Sequence, residues 1–151
     1  MRVITGTARG RVLRTLEGED VRPTTDRVKE AVFSIIQFEI EGRRVLDLFA
    51  GSGQLGIEAL SRGAASATFV DMSKDSLSAV KYNLEHTKLG DNAKVVQTDA
   101  LSFLKLTKDK FDIVFLDPPY ASSLVVDSMK LLSDVVAAGG CAICETPVDS
   151  E

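Results

Sequence analysis

From residue 44 onward, short apolar runs alternate with segments of helical spacing, and this alternation limits the fold more than any other feature of the chain. Apolar runs at 44–49, 67–70, 93–97, 111–116 and 141–145 read as strands. Between them, 54–62, a segment carrying Leu77, Val80, Tyr82 and Leu84, 101–106 and 122–136 read as helices. Ser73 is placed to cap the second of these, and Gly63 to stop the first. Strand–helix alternation predicts an α/β fold, Rossmann-like, with a mostly parallel sheet and helices on both faces. In such folds ligands bind outside the carboxyl ends of the strands, where the strand order reverses. Four candidate segments fall at strand ends: the glycine loop after the first strand, Asp71, Asp99 and Asp117.

Residues 45–56 read VLDLFAGSGQLG. Gly51, Gly53 and Gly56 satisfy G-x-G-x-x-G, a pattern that lets the backbone turn tightly and approach a ligand closely. Alone it also reads as a dinucleotide fingerprint. Asp47, four residues before Gly51, is an acid that a dinucleotide site does not require; it can reach the amino group or sulfonium side of a cationic ligand. Asp71 is placed to accept two ribose hydroxyls, and Asp99 lies within reach of an adenine amine. A ring of acids suits a ligand with a positive sulfur and an ammonium, and repels pyrophosphate. That is the chemistry of S-adenosylmethionine. Helix capping is the plain alternative for Asp71 and Asp99.

Residues 117–120 read DPPY, after the apolar run 111–116. The amine of an aromatic base is a poor nucleophile because its lone pair is delocalised. Hydrogen bonds to the Asp117 carboxylate and the Pro118 carbonyl push it toward tetrahedral geometry and free the lone pair. Tyr120 offers a stacking face for the base. The plain alternative is a proline turn ending a strand.

The chain of 151 residues is one domain in length, with an arm at 1–22 and a core at 23–151. It carries a net charge of −4, yet the first 16 residues hold Arg2, Arg9, Arg11 and Arg14 and no acid. The remainder therefore carries −8, and an acidic body with a basic arm fits contact with nucleic acid through the arm. Short apolar runs broken by Gly6 and Gly10 suggest a hairpin or extended arm. After Pro23, a helix capped by Thr25 or Asp26 is expected to pack through Val28, Ala31, Val32, Ile35, Ile36 and Ile40. No apolar run approaches the length of a membrane span, and a cytoplasmic protein is expected. Cys141 and Cys144 are expected as buried thiols, and no metal cluster is expected.

Three segments together carry a family resemblance: RPTTDRVKEAVFSII at 22–36, DLFAGSGQLGIEALSRGA at 47–64, and FLDPPY at 115–120. The chain resembles, over essentially its whole length, the bacterial methyltransferase family that modifies the N2 of a guanine in 16S ribosomal RNA. The resemblance implies a class I fold dependent on S-adenosylmethionine, with 16S ribosomal RNA or the small ribosomal subunit as partner and no membrane or metal. It implies Asp117, Pro118 and Tyr120 at the target base. Cofactor contacts are implied from Asp47, Gly51, Gly53, Asp71 and Asp99, with Thr24 and Arg27 helping to form the cleft and Arg9 and Arg11 on the RNA side. Members of that family continue past the strand that here ends near Glu145, so the core is expected to be short at its C-terminus. Competing readings are a tRNA or DNA amino-methyltransferase, an NAD-dependent oxidoreductase, and an inactive cofactor-binding RNA module.

Overall fold

The computed structural model describes residues 2–15, 26–116 and 123–144. In chain order the elements are α1 (Asp26–Ile36), β1 (Arg44–Leu48), α2 (Gln54–Ser61), β2 (Ser66–Asp71), α3 (Lys74–Thr87), β3 (Ala93–Gln97), α4 (Ala100–Leu106), β4 (Phe111–Leu116), α5 (Ser123–Leu132) and β5 (Val136–Cys144). The five strands form one parallel sheet in the order β3-β2-β1-β4-β5. The α/β architecture expected from the alternation is the one observed.

Side chains alternate across the sheet as the pleat requires. Val45, Ile113 and Phe115 enter one core with Phe33, Ile57, Leu77 and Val80. Leu46, Val114 and Leu116 enter the other with Phe103, Leu104 and Leu132. Thus α1, α2 and α3 cover one face, and α4 and α5 the other. The strand order turns back at β1, which has β2 on one side and β4 on the other. This is the switch point at which a crevice opens beyond the strand ends.

The arm at residues 2–15 is a tight reversal closed by an antiparallel bridge between Arg2 and Val12. It lies on α2: Thr7 donates its N–H to the Ser61 carbonyl at 2.8 Å, and Ala8 donates to Ser61 Oγ at 2.9 Å. The hairpin expectation holds.

Three expectations need correction. The buried face of α1 is Lys29, Val32, Phe33 and Ile36, while Ile35 is 76% exposed and Ala31 is also exposed. The helix is turned so that Phe33 meets Phe115 of β4 at 5.6 Å between ring centroids. Lys29 faces inward because a carboxylate waits for it there. The fifth helix ends at Leu132, and Val136 opens β5 beside Phe111. The Ala137–Gly140 stretch enters the sheet through a register shift; Gly139 has φ +79°, and a Cβ on Gly140 would lie 2.7 Å from the Asp112 carbonyl. A helical reading from composition misses this bulge. Finally, Cys141 is only half-buried and Cys144 is exposed. Burial is the main cause raising the Cys141 thiol above its usual pKa. Both lie on β5, at the edge of the described sheet, where Ala142 is exposed, Ile143 is half-buried, and Ala138 and Gly139 before them are exposed.

Candidate active site

The site is built where β1 hands over to α2. Strand geometry ends at Leu48: Phe49 has φ +64°, followed by Gly51 at +58° and Gly53 at +86°. Left-handed backbone is easily adopted only by glycine, so Gly51 and Gly53 fit their positions and Phe49 is the exception. Hydrogen bonds hold the loop: Ala50 N–H to the Val70 carbonyl and Gly53 N–H to the Ala50 carbonyl, each at 2.9 Å. Beyond Gly51 and its two chain neighbours, no atom lies within 4 Å of where a Gly51 Cβ would stand. At Gly56 the opposite holds, since a Cβ would sit 2.4 Å from the Phe69 ring. The third glycine lets α2 close on the sheet.

Asp71 ends β2 and is half-buried. Its Oδ2 accepts the Gly51 N–H at 2.9 Å, and its Oδ1 accepts the Ser73 N–H at 2.8 Å. The carboxylate therefore ties the glycine loop to the start of α3. Asp47 is 1% exposed, with Oδ2 accepting the Gly56 N–H at 3.0 Å. In this structure it braces the loop from beneath. Asp99 caps α4: Oδ1 accepts the Ser102 N–H at 2.8 Å and Oδ2 the Ser102 hydroxyl at 2.7 Å. These two bonds, the backbone one first, hold the Asp99 carboxyl below its usual pKa. The capping role weighed from the sequence is present at Asp99. Ser73 caps α3 through Oγ, which accepts the Ser76 N–H at 3.2 Å.

Register places these groups at one end of the sheet. Leu48 pairs with Val70 and with Leu116, and Asp71 pairs with Gln97. The glycine loop, Asp71 and the β3–α4 turn thus leave the same rim. Asp117, Pro118 and Tyr120 follow Leu116 in sequence but lie outside the described residues, as does Thr24. Arg27 is exposed on α1, and Arg9 and Arg11 are exposed on the arm. The depression lined by Arg44, Ser66, Thr68, Lys94, Lys110 and Phe111 opens at the amino ends of the strands, away from the glycine loop, Asp71 and Asp99. Among the described residues, no group of three or more His, Cys, Asp or Glu could hold a metal ion, and no helix is long and apolar enough to cross a membrane.

Sequence reasoning passed over three buried polar residues that bond to the arm: Lys29, Glu58 and Asn83. Their signal was a polar residue at a core position, such as Glu58 between Ile57 and Ala59, or Asn83 beside Leu84.

Comparison with known proteins fits this geometry. The family model described as conserved hypothetical protein 95 matches residues 1–151. Ribosomal RNA small subunit methyltransferase D of Haemophilus influenzae is 42% identical over 137 residues, covering 89% of this chain and 71% of that protein. Its namesake in Escherichia coli is 43% identical over 134 residues, covering 89% and 67%. A solved hypothetical protein of Thermus thermophilus superposes with a TM-score of 0.88 at 33% identity, covering 100% of this chain and 88% of that one. An S-adenosylmethionine-dependent methyltransferase of Thiobacillus denitrificans, solved with S-adenosyl-L-homocysteine, shares the fold at a TM-score of 0.70 and 20% identity, covering 85% and 51%. The chain belongs to the family of the ribosomal RNA small subunit methyltransferase D proteins, and it is a methyltransferase.

Proposed function

We propose that this chain transfers a methyl group from S-adenosylmethionine to the exocyclic N2 amine of a guanine in 16S ribosomal RNA, on the small subunit or its precursor. The observation that carries the cofactor choice is the bond from the Gly51 N–H to Asp71 Oδ2. A dinucleotide site offers its glycine-loop amides to pyrophosphate. Here that amide already faces a carboxylate, and a phosphate would meet negative charge. The acceptors at this rim suit ribose hydroxyls and an amine instead. Bound there, the cofactor supplies a methyl on a positively charged sulfur.

The chain's own task is to bind, orient and exclude water. In this reading Asp71 receives the ribose hydroxyls, and Gly51, with open space above its Cα, lets the ligand approach the backbone. Asp47 keeps the loop in shape through Gly56, and Asp99 holds the β3–α4 turn against the adenine. Thr24 and Arg27 are assigned to the cleft. Asp117 and Pro118 accept hydrogen bonds from the guanine amine, and Tyr120 stacks on the base. Catalysis rests on positioning and fixed dipoles: the nitrogen lone pair takes the methyl, the sulfur keeps the bonding pair, and one amine proton leaves to Asp117 or to water. Arg9 and Arg11 would meet phosphates of the RNA. A domain spanning 1–151 and a cytoplasmic location accord with an RNA substrate.

The test is to incubate the protein with labelled S-adenosylmethionine and unmodified small ribosomal subunits, and with the protein-free RNA, then map the label. Label on the N2 of one guanine supports the proposal. Label on a tRNA or a DNA base in preference, or binding of NAD in preference to S-adenosylhomocysteine, overturns it.

A further inference from the structure

Asn83 sits on the inner side of α3 and is fully buried. Its Oδ1 accepts the Arg14 N–H at 2.7 Å, and its Nδ2 donates to the Arg14 carbonyl and to the Ser52 carbonyl, each at 3.0 Å. One acceptor facing an N–H and one NH₂ facing two carbonyls leave only this orientation of the amide. A single side chain therefore holds the C-terminal end of the described arm and the middle of the glycine loop. Arg14 is fastened a second time, its guanidinium 3.9 Å over the Tyr82 ring. Ser52 has a second contact, since Gln54 Nε2 donates to its Oγ at 3.1 Å.

We infer that Asn83 is a positioning residue that couples the arm to the cofactor loop, so that S-adenosylmethionine and RNA strengthen each other's binding. The inference rests on the function proposed above. A ligand on the glycine loop restricts the Ser52 carbonyl, which restricts the Asn83 amide, which holds both backbone groups of Arg14. Val3, Ala8 and Leu13 anchor the arm in the core, but Arg14 and Thr15 beyond them are exposed, and restriction acts most on such a lightly held segment. Linkage makes the coupling reciprocal: RNA that orders the arm must tighten the loop around the cofactor by the same factor.

The test measures S-adenosylhomocysteine affinity with and without saturating small-subunit RNA, and RNA affinity with and without S-adenosylhomocysteine, for the full chain and for Asn83→Ala. Mutual tightening of about fivefold or more is expected for the unsubstituted chain, the lower end of ordinary couplings. In Asn83→Ala it should collapse toward unity. Retention of the full factor in a folded Asn83→Ala protein overturns the inference. Amide hydrogen exchange on the unsubstituted chain gives a reading that needs no variant. The Arg14 amide should exchange more slowly once S-adenosylhomocysteine is bound; unchanged exchange with the ligand demonstrably bound overturns the coupling alone. Absence of S-adenosylhomocysteine binding overturns the functional reading, and the coupling with it.

Discussion

The ammonium of Lys29 lies 3.4 Å from Oε1 of Glu58, and neither side chain is exposed to solvent. Glu58 also accepts the N–H groups of Ile4 and Thr5 at 2.8 and 3.0 Å and pairs with Arg62 Nε at 2.8 Å. Lys29 Nζ donates to the Arg2 carbonyl at 2.7 Å. Buried charges are tolerated only when paired and hydrogen-bonded in this way. The arm, α1 and α2 meet at this knot. Replacing Glu58 by Gln keeps the shape and takes this anion away from Lys29 and Arg62. A loss of about 3–5 kcal/mol is expected, the scale for breaking a buried pair from one side. Chemical denaturation checks it, and a loss below about 1 kcal/mol, smaller than that scale, would show that the knot does not hold the fold.

The arm depends on contact as well as charge. Gly6 has φ +94°, and a Cβ there would lie 1.8 Å from the Ser61 carbonyl oxygen. Gly6→Ala should destabilise the chain by more than about 1 kcal/mol and dislodge the arm without changing its charge. Arg9→Ala with Arg11→Ala should leave stability intact and flatten the salt dependence of RNA binding, by roughly one unit of slope per lost phosphate contact. Unchanged slope would mean that these two side chains are merely solvated.

Asp71→Ala removes an acceptor of the cofactor in the proposed reading, and also the brace on Gly51. S-adenosylhomocysteine affinity should fall by roughly 1.5–3 kcal/mol, the scale of hydrogen bonds to a charged group. Calorimetry with NAD as control makes the comparison; wild-type affinity in the variant would assign Asp71 to the loop alone.

Asp117→Ala should lower methylation turnover by about 10²-fold or more, the scale for removing one preorganised polar group. Cofactor affinity should stay near normal, because the residue is assigned to the base. Near-normal turnover would make Asp117 a turn residue.

Acid should weaken the fold through two carboxylates. The Arg44 guanidinium bonds to Asp112 at 3.1 and 3.3 Å and holds its carboxyl below the usual range. Asp99 is lowered by Ser102. A folded-state pKa below the unfolded one means that this stability is fully present above the ordinary carboxylate pKa of about 4 and is lost as pH falls through the depressed value. Melting temperature followed from about pH 6 downward, starting above that carboxylate range, should fall less steeply in Asp112→Asn than in the unsubstituted chain. Parallel curves would show that the Arg44 pair contributes nothing to the acid response.

Much of the fold was legible because its signals are local. The strands at 93–97 and 111–116 are mostly apolar runs of one strand's length, and both occur where expected. Ser73 and Asp99 cap helices through bonds spanning three residues, and the glycine pattern carries its own backbone requirement. The face of α1 was not legible. Ile35 and Phe33 are both strongly apolar, and only the position of Phe115, far along the chain, selects Phe33 for the core. The start of β5 was hidden for a similar reason: Ala-Ala-Gly-Gly has no strand signature until Phe111 and Ile113 pair with its flanks.

The residues by themselves determined the alternation of strand and helix, the glycine turn, the acids at successive strand ends and the basic arm, since each is written in neighbours a few positions apart. Tertiary structure alone decided that Glu58 would gather Ile4, Thr5, Lys29 and Arg62, and that Asn83 would join Arg14 to Ser52. Those partners are up to 69 residues distant, and a buried polar group can be recognised as satisfied only when the groups that satisfy it have been brought to it.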